Sequence, residues 1–115
     1  MSDLVKLIAN QYLIREGEES TEMYYLQSGT LAVFKRKGDQ EFQIGSIISG
    51  ELVGELSFLD KNPRSASVKA MGDCVLVVVP LAKLEHTLST MPKWFSALIN
   101  TLVDRLRKAN ARVRV

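Results

Sequence analysis

Residues 50–68 read Gly50-Glu51-Leu52-Val53-Gly54-Glu55-Leu56-Ser57-Phe58-Leu59-Asp60-Lys61-Asn62-Pro63-Arg64-Ser65-Ala66-Ser67-Val68. Gly54 allows a tight backbone approach to a short helical turn expected over Glu55 to Leu59. The free N–H groups at such a turn point at one spot and favour an anion. Arg64 follows nine residues after Glu55, fixed by Pro63, and its planar fork of donors suits phosphate oxygens. The small side chains of Ser65 and Ala66 let backbone N–H groups approach the same anion. Glu55 is an acceptor suited to sugar hydroxyls. An anion site beside a carboxylate fits a ligand carrying both a phosphate and a free hydroxyl, and fits inorganic phosphate badly.

The flanking sequence supplies the frame. All seven glycines lie at or before Gly72. Between them sit short segments rich in β-branched and aromatic residues: Met23 to Leu26, Thr30 to Phe34, Glu41 to Ile44 and Val75 to Val79. Short strands at close spacing with turn signals predict an antiparallel sandwich or barrel, and no long helical pattern separates them as parallel units require. After Pro80 the pattern changes. Leu81 to Ser89 reads as a short helix, Met91-Pro92 as a boundary, and Pro92 as a first-turn residue of a second helix. Phe95, Ile99, Leu102, Leu106, Ala109 and Val113 recur at heptad-like steps, widened by Trp94, Leu98 and Val103. So broad a stripe predicts burial of one part and an offer of the rest to a partner helix, with packing inside one chain as the alternative. The expected layout is a single domain over residues 1–115, strands over about 7–80 and helices over about 81–112.

Composition narrows the chemistry. The chain has 115 residues with 46% apolar and 24% charged content, which is globular and not disordered, and long enough to hold one core. The net charge of +2 argues against a nucleic-acid partner. Residues 1–80 carry 8 Lys+Arg against 11 Asp+Glu, and residues 81–115 carry 7 against 2. The excess on the last helix, from Arg105, Arg107, Lys108, Arg112 and Arg114, reads as a solvated face complementing the helix C-terminus. His86 is the only histidine and Cys74 the only cysteine. A catalytic triad and a multi-histidine metal site are excluded, so no metal and no cofactor are expected. Cys74 opens an apolar run and reads as a buried thiol. No stretch reaches the roughly 20 apolar residues of a membrane span, and Met1-Ser2-Asp3-Leu4 lacks signal-peptide character; a cytoplasmic protein is expected.

Gly54-Glu55-Leu56-Ser57 followed by Pro63-Arg64-Ser65-Ala66-Ser67-Val68 resembles the phosphate-binding cassette of cyclic nucleotide-binding domains. Kinase regulatory subunits, the bacterial catabolite activator protein and gated channels are members of that family. Tyr12 to Gly17 and Tyr25 to Val33 are similar to its first strands, and the resemblance runs from about Leu7 to Asn110. It implies a mainly β fold, a jelly-roll-like β-roll flanked by helices. It implies that Glu55 accepts from the ribose 2′-hydroxyl and that Arg64 pairs with the cyclic phosphate. Gly54, Leu56 and Ser57 would complete the contacts through their backbone, and Ser65 would add a hydroxyl and an N–H. Val53 stands where the family usually has Phe, which alters packing and removes no polar contact. Counting from Pro92, a polar pair of the catabolite activator's last helix falls on Ala109 and Asn110, so Asn110 is the expected contact to an adenine edge. Ser65 is compatible with either purine, and the sequence leans to cyclic AMP over cyclic GMP.

No helix-turn-helix, kinase, channel or cyclase segment is recognisable. The expected function is therefore a stand-alone receptor, not an enzyme, that signals in trans to an effector protein through movement of its C-terminal helix, with a homodimer through that helix as a possible assembly. The competing reading is an empty structural module of the same fold, in which Glu55 and Arg64 satisfy one another as an ion pair and the helical seam serves dimerisation. Keeping both Glu55 and Arg64 favours the working site.

Overall fold

The computed structural model describes residues 3–19, 21–55 and 62–112, the last three by backbone alone. Eight strands precede two helices: β1 Leu4–Leu7, β2 Tyr12–Ile14, β3 Glu22–Ser28, β4 Thr30–Lys37, β5 Gln40–Ile48, β6 Leu52–Val53, β7 Ser67–Ala70, β8 Cys74–Pro80, α1 Leu81–Ser89 and α2 Lys93–Arg112. The strands form two four-stranded antiparallel sheets, ordered β1-β8-β3-β6 and β2-β7-β4-β5. This is the expected mainly β roll, and its order interleaves the two halves of the strand sequence.

Alternation decides what the sheets bury. In β3, Tyr24 and Leu26 are buried while Tyr25 between them is exposed. In β8, Cys74 and Leu76 are buried around a half-buried Val75. These side chains meet Leu31 of β4, Ile14 of β2, and Val68 and Ala70 of β7 in one apolar cluster. Cys74 is buried, as its apolar surroundings predicted. The β3–β4 turn is pressed against Asp73 and Cys74: Gly29 has φ +99°, and a Cβ there would lie 2.5 Å from the Asp73 carbonyl oxygen. No other residue fits without displacing backbone.

Several elements depart from the sequence reading. β5 runs on to Ile48, because a bulge opposite Val33 and Phe34 lets it pair with β4 from end to end. β1, too short to stand out by composition, exists by pairing with the central strand β8. Residues 1–81 and 82–115 form two compact units.

α1 spans the predicted Leu81–Ser89, all but its first residue in the second unit. Pro92 precedes α2 instead of opening it, and its carbonyl accepts from Phe95 N at 3.0 Å. The apolar stripe of α2 is buried in part and exposed in part, as its breadth predicted. Phe95, Ile99 and Val103 are half-buried, at four-residue steps along one ridge. Leu102 (52%) and Leu106 (48%) are exposed with Trp94 and Leu98 on the adjoining ridge. A straight helix follows its i±4 ridges, whereas a 3.5-residue repeat needs supercoiling to stay on one face. Arg105 and Lys108 are exposed, and Lys108 pairs with Asp104 one turn earlier at 3.0 Å, but Arg107 between them is half-buried, so the basic run is only in part the solvated face expected. Val113 and Arg114 lie outside the described residues, as do the side chains of Arg112 and Asn110.

Candidate nucleotide site

Two arms of chain frame a concavity on the roll. The first comes from β6 into Gly54 and Glu55. It is anchored to β3 by Leu26 N donating to Glu51 O at 3.0 Å and Gly50 N donating to Leu26 O at 2.8 Å. The second carries Asn62 to Ala66 into β7. It is tied to the turn after β2: Arg64 N donates to Glu18 O and Gly17 N to Arg64 O, both at 2.8 Å. Glu16 N donates to the Ser67 hydroxyl at 2.9 Å. The Arg64 backbone is thus bonded on both sides before its side chain does anything.

That side chain turns inward and is only 6% exposed. Its Nη1 donates to the Gly54 carbonyl at 3.1 Å and its Nη2 to the Glu22 carbonyl at 2.6 Å. Gly54 has φ +77°, and a Cβ on it would collide with Arg64 Nη1, so glycine is what lets the two arms close together. Among the described residues Arg64 forms no ion pair, and Glu55 in particular does not neutralise it. The mutual ion pair of an empty module is therefore not formed. Taking a charge out of water without a counter-charge is costly; two neutral carbonyls satisfy donors and leave the positive charge in place.

Behind Glu22, the Tyr24 hydroxyl donates to the Glu22 carboxylate at 2.9 Å. Burial, aided by that bond to an anion, pushes the phenol up to about 12.

The concavity has a volume of about 320 Å³, within the range of small-molecule sites. Gly54, Glu55, Arg64, Ser65 and Ala66 all line it, so five residues singled out from the sequence share one cavity. Leu56 and Ser57 lie outside the described residues, as does the turn expected to continue to Leu59; Asn110 belongs to the other compact unit. Sequence reasoning missed the apolar wall, made by Ile14, Val33, Ile47 and Val68. Its signal was present in the strand alternation, but choosing a wall needs the pairing of β4 with β5 and β7. The Glu22 carbonyl was also missed; a backbone oxygen leaves no mark in side-chain identity.

The family model of the cyclic nucleotide-binding domain matches residues 4–91. The chain belongs to this family. It is 31% identical over 96 residues to the cAMP-dependent protein kinase type II regulatory subunit of Drosophila melanogaster, covering 84% of this chain and 23% of that protein. Among solved structures, the EAL enzyme Bd1971 in its cAMP-bound form superposes with a TM-score of 0.83 at 28% identity, over 96% of this chain and 30% of that one. The cGMP-bound form of the same enzyme gives 0.83 at 27%, over 96% and 30%. The catabolite activator protein of Thermus thermophilus gives 0.79 at 26%, over 97% of this chain and 53% of that one. This cyclic nucleotide-binding domain spans less than a quarter of the length of the curated relatives it matches. No described helix is long and apolar enough to cross a membrane.

Proposed function

We propose that the cavity receives a cyclic mononucleotide, cyclic AMP in preference to cyclic GMP, and that the domain acts by binding, without chemistry of its own. Arg64 meets the cyclic phosphate, Glu55 takes the ribose 2′-hydroxyl, and Ser65 and Ala66 present their amides. The observation that carries this reading is the buried Arg64 guanidinium, bonded to two neutral carbonyls and facing a cavity that also holds Glu55. The preference for cyclic AMP draws on the kinase relative, whose name records dependence on that nucleotide. Titration calorimetry with both nucleotides tests it. Arg64→Ala strips the charge partner from a desolvated phosphate, a loss of about 3–5 kcal/mol, or roughly two to three and a half decades in affinity. Equal binding by parent and variant would remove Arg64 from the site.

Signalling to an effector protein requires that ligand alter the second unit. Support for this comes from two consecutive peptide units at the start of β3. Arg64 donates to the Glu22 carbonyl, and the preceding carbonyl, of Thr21, accepts from Leu81 N at 3.2 Å. Leu81 is the first residue of α1 and the last of the first unit. A phosphate that draws on Arg64 thereby acts on a residue adjacent to the junction between the units. The exposed ridge Trp94, Leu98, Leu102 and Leu106 supports α2 as the surface that meets the effector or a second copy of the chain.

A further inference from the structure

Lys35 lies outside the cassette and was not among the expected site residues, yet its ammonium reaches the cassette backbone. Nζ donates to the Ser65 carbonyl at 2.5 Å and lies 3.4 Å from Glu16 Oε2. The other Glu16 oxygen accepts from Arg36 N at 3.0 Å. The pairing of β4 with β7 explains the reach. It runs Val33 opposite Val68 and Phe34 opposite Ser67, so one step further puts Lys35 opposite Ala66. β7 begins only at Ser67, and the Lys35 side chain supplies the donor where the backbone ladder has ended. Lys35 also falls two residues beyond Val33, on the face of β4 that lines the cavity.

The consequence follows from the planar trans peptide. In the Ser65–Ala66 unit the C=O and N–H point in opposite directions. An ammonium holding the Ser65 oxygen therefore fixes the Ala66 N–H on the side away from Lys35, and polarises that N–H as a donor. Ser65 and Ala66 both line the cavity. We propose that Lys35, steadied by Glu16, is a positioning residue that pre-aims the Ser65–Ala66 peptide at the ligand's phosphate. This rests on the reading of the cavity as a cyclic-nucleotide site. Lys35 touches the peptide and not the ligand; it raises affinity by reducing the ordering that binding would otherwise require.

The test is calorimetric titration of cyclic AMP into the parent, Lys35→Met, Lys35→Arg and Glu16→Gln, each at low salt and in 1 M NaCl. Lys35→Met should bind roughly tenfold more weakly, the scale of one misaligned charge-assisted hydrogen bond, and Lys35→Arg should recover most of the loss by keeping a cationic donor. Glu16→Gln retains an acceptor for Arg36 N but frees the lysine, and should cost roughly two- to fourfold. Long-range attraction by a bare charge is screened at 1 M salt, where the Debye length is about 3 Å; the loss from misalignment should persist there. A Lys35→Met affinity within twofold of the parent, or a loss that vanishes in 1 M NaCl, overturns the proposal. If Lys35→Met does not fold, Glu16→Gln alone decides, with an unchanged affinity as the refuting result. A parent that binds neither nucleotide refutes the underlying reading of the cavity, an outcome distinct from a parent that binds and variants that match it.

Discussion

Replacing Gly54 by alanine tests whether the Arg64 guanidinium is held against the first arm of the cavity. Gly54 has φ +77°, and a side chain in that left-handed backbone costs about 1–2 kcal/mol. The added Cβ would also collide with Arg64 Nη1 and lie 3.1 Å from Ile14 Cδ1. Arg64 must then withdraw from the Gly54 carbonyl, giving up a hydrogen bond from a charged donor worth about 1.5–3 kcal/mol. Gly50 supplies the control. Its φ is +95°, and a Cβ there meets nothing within 4 Å, so Gly50→Ala bears the backbone cost alone. The lowered freedom of the unfolded chain is common to both changes and cancels. Urea unfolding should place Gly54→Ala about 1.5–3 kcal/mol below Gly50→Ala. Calorimetry should show at least a roughly tenfold loss of nucleotide affinity for Gly54→Ala and little change for Gly50→Ala. If the two variants agree in stability within about 0.5 kcal/mol, Arg64 is not held at Gly54, and the closed arrangement of the two arms is refuted.

Other consequences can be measured independently. The Tyr24 phenol is raised from 10.0 to about 12 by burial and by its bond to Glu22. A raised group stabilises fully below its unfolded value, so stability on the order of 1–2 kcal/mol, the shift discounted for solvent screening, should be lost as pH climbs from 10 through 12; Tyr24→Phe should flatten that decline in urea midpoints. Leu81→Pro deletes the N–H donated to Thr21 O at a helix position that tolerates proline, while Leu81→Ala keeps it. Hydrogen exchange should show ligand altering protection of α2 in Leu81→Ala but not in Leu81→Pro, and equal responses would break the proposed link through Thr21 and Glu22. Leu102→Glu places a charge on the exposed ridge of α2; if that ridge joins two copies, light scattering should show the dimer of the parent reduced to monomer, with nucleotide affinity retained.

How much of this was legible in sequence depends on the range of each interaction. The cassette was legible because its requirements are local: Gly54 at a tight turn, Arg64 set by Pro63, small residues at Ser65 and Ala66. The roll was legible through alternation, as at Tyr24, Tyr25 and Leu26. The parts that were not legible depend on pairing. Lys35 reads in isolation as one of three consecutive basic residues, Lys35 to Lys37, and only the β4–β7 register carries it to Ser65. The carbonyls of Gly54 and Glu22 hold Arg64 through atoms every residue possesses. On α2 the apolar stripe was legible, but which part is buried was not: the half-buried ridge of Phe95, Ile99 and Val103 advances by four, leaving Leu102 and Leu106 exposed.

The choice of carbonyls over a carboxylate for Arg64 has a thermodynamic meaning. Had Glu55 closed on the guanidinium, an incoming phosphate would have to break a formed ion pair, and its own gain would be reduced by the attraction it displaced. Neutral carbonyls satisfy the N–H groups at a cost to the anion of two hydrogen bonds, each worth about 1.5–3 kcal/mol for a charged donor, without cancelling the charge that draws the anion in. Glu55 meanwhile lines the same cavity without that partner, keeping acceptor capacity for a hydroxyl. Burying the Arg64 cation without a carboxylate partner among the described residues costs the fold stability, offset by bonds that hold the Arg64 backbone to Gly17 and Glu18 on both sides. On the proposed reading an anion meeting Arg64 would return that cost, and a ligand bringing both a phosphate for Arg64 and a hydroxyl for Glu55 would gain from both sides of the cavity.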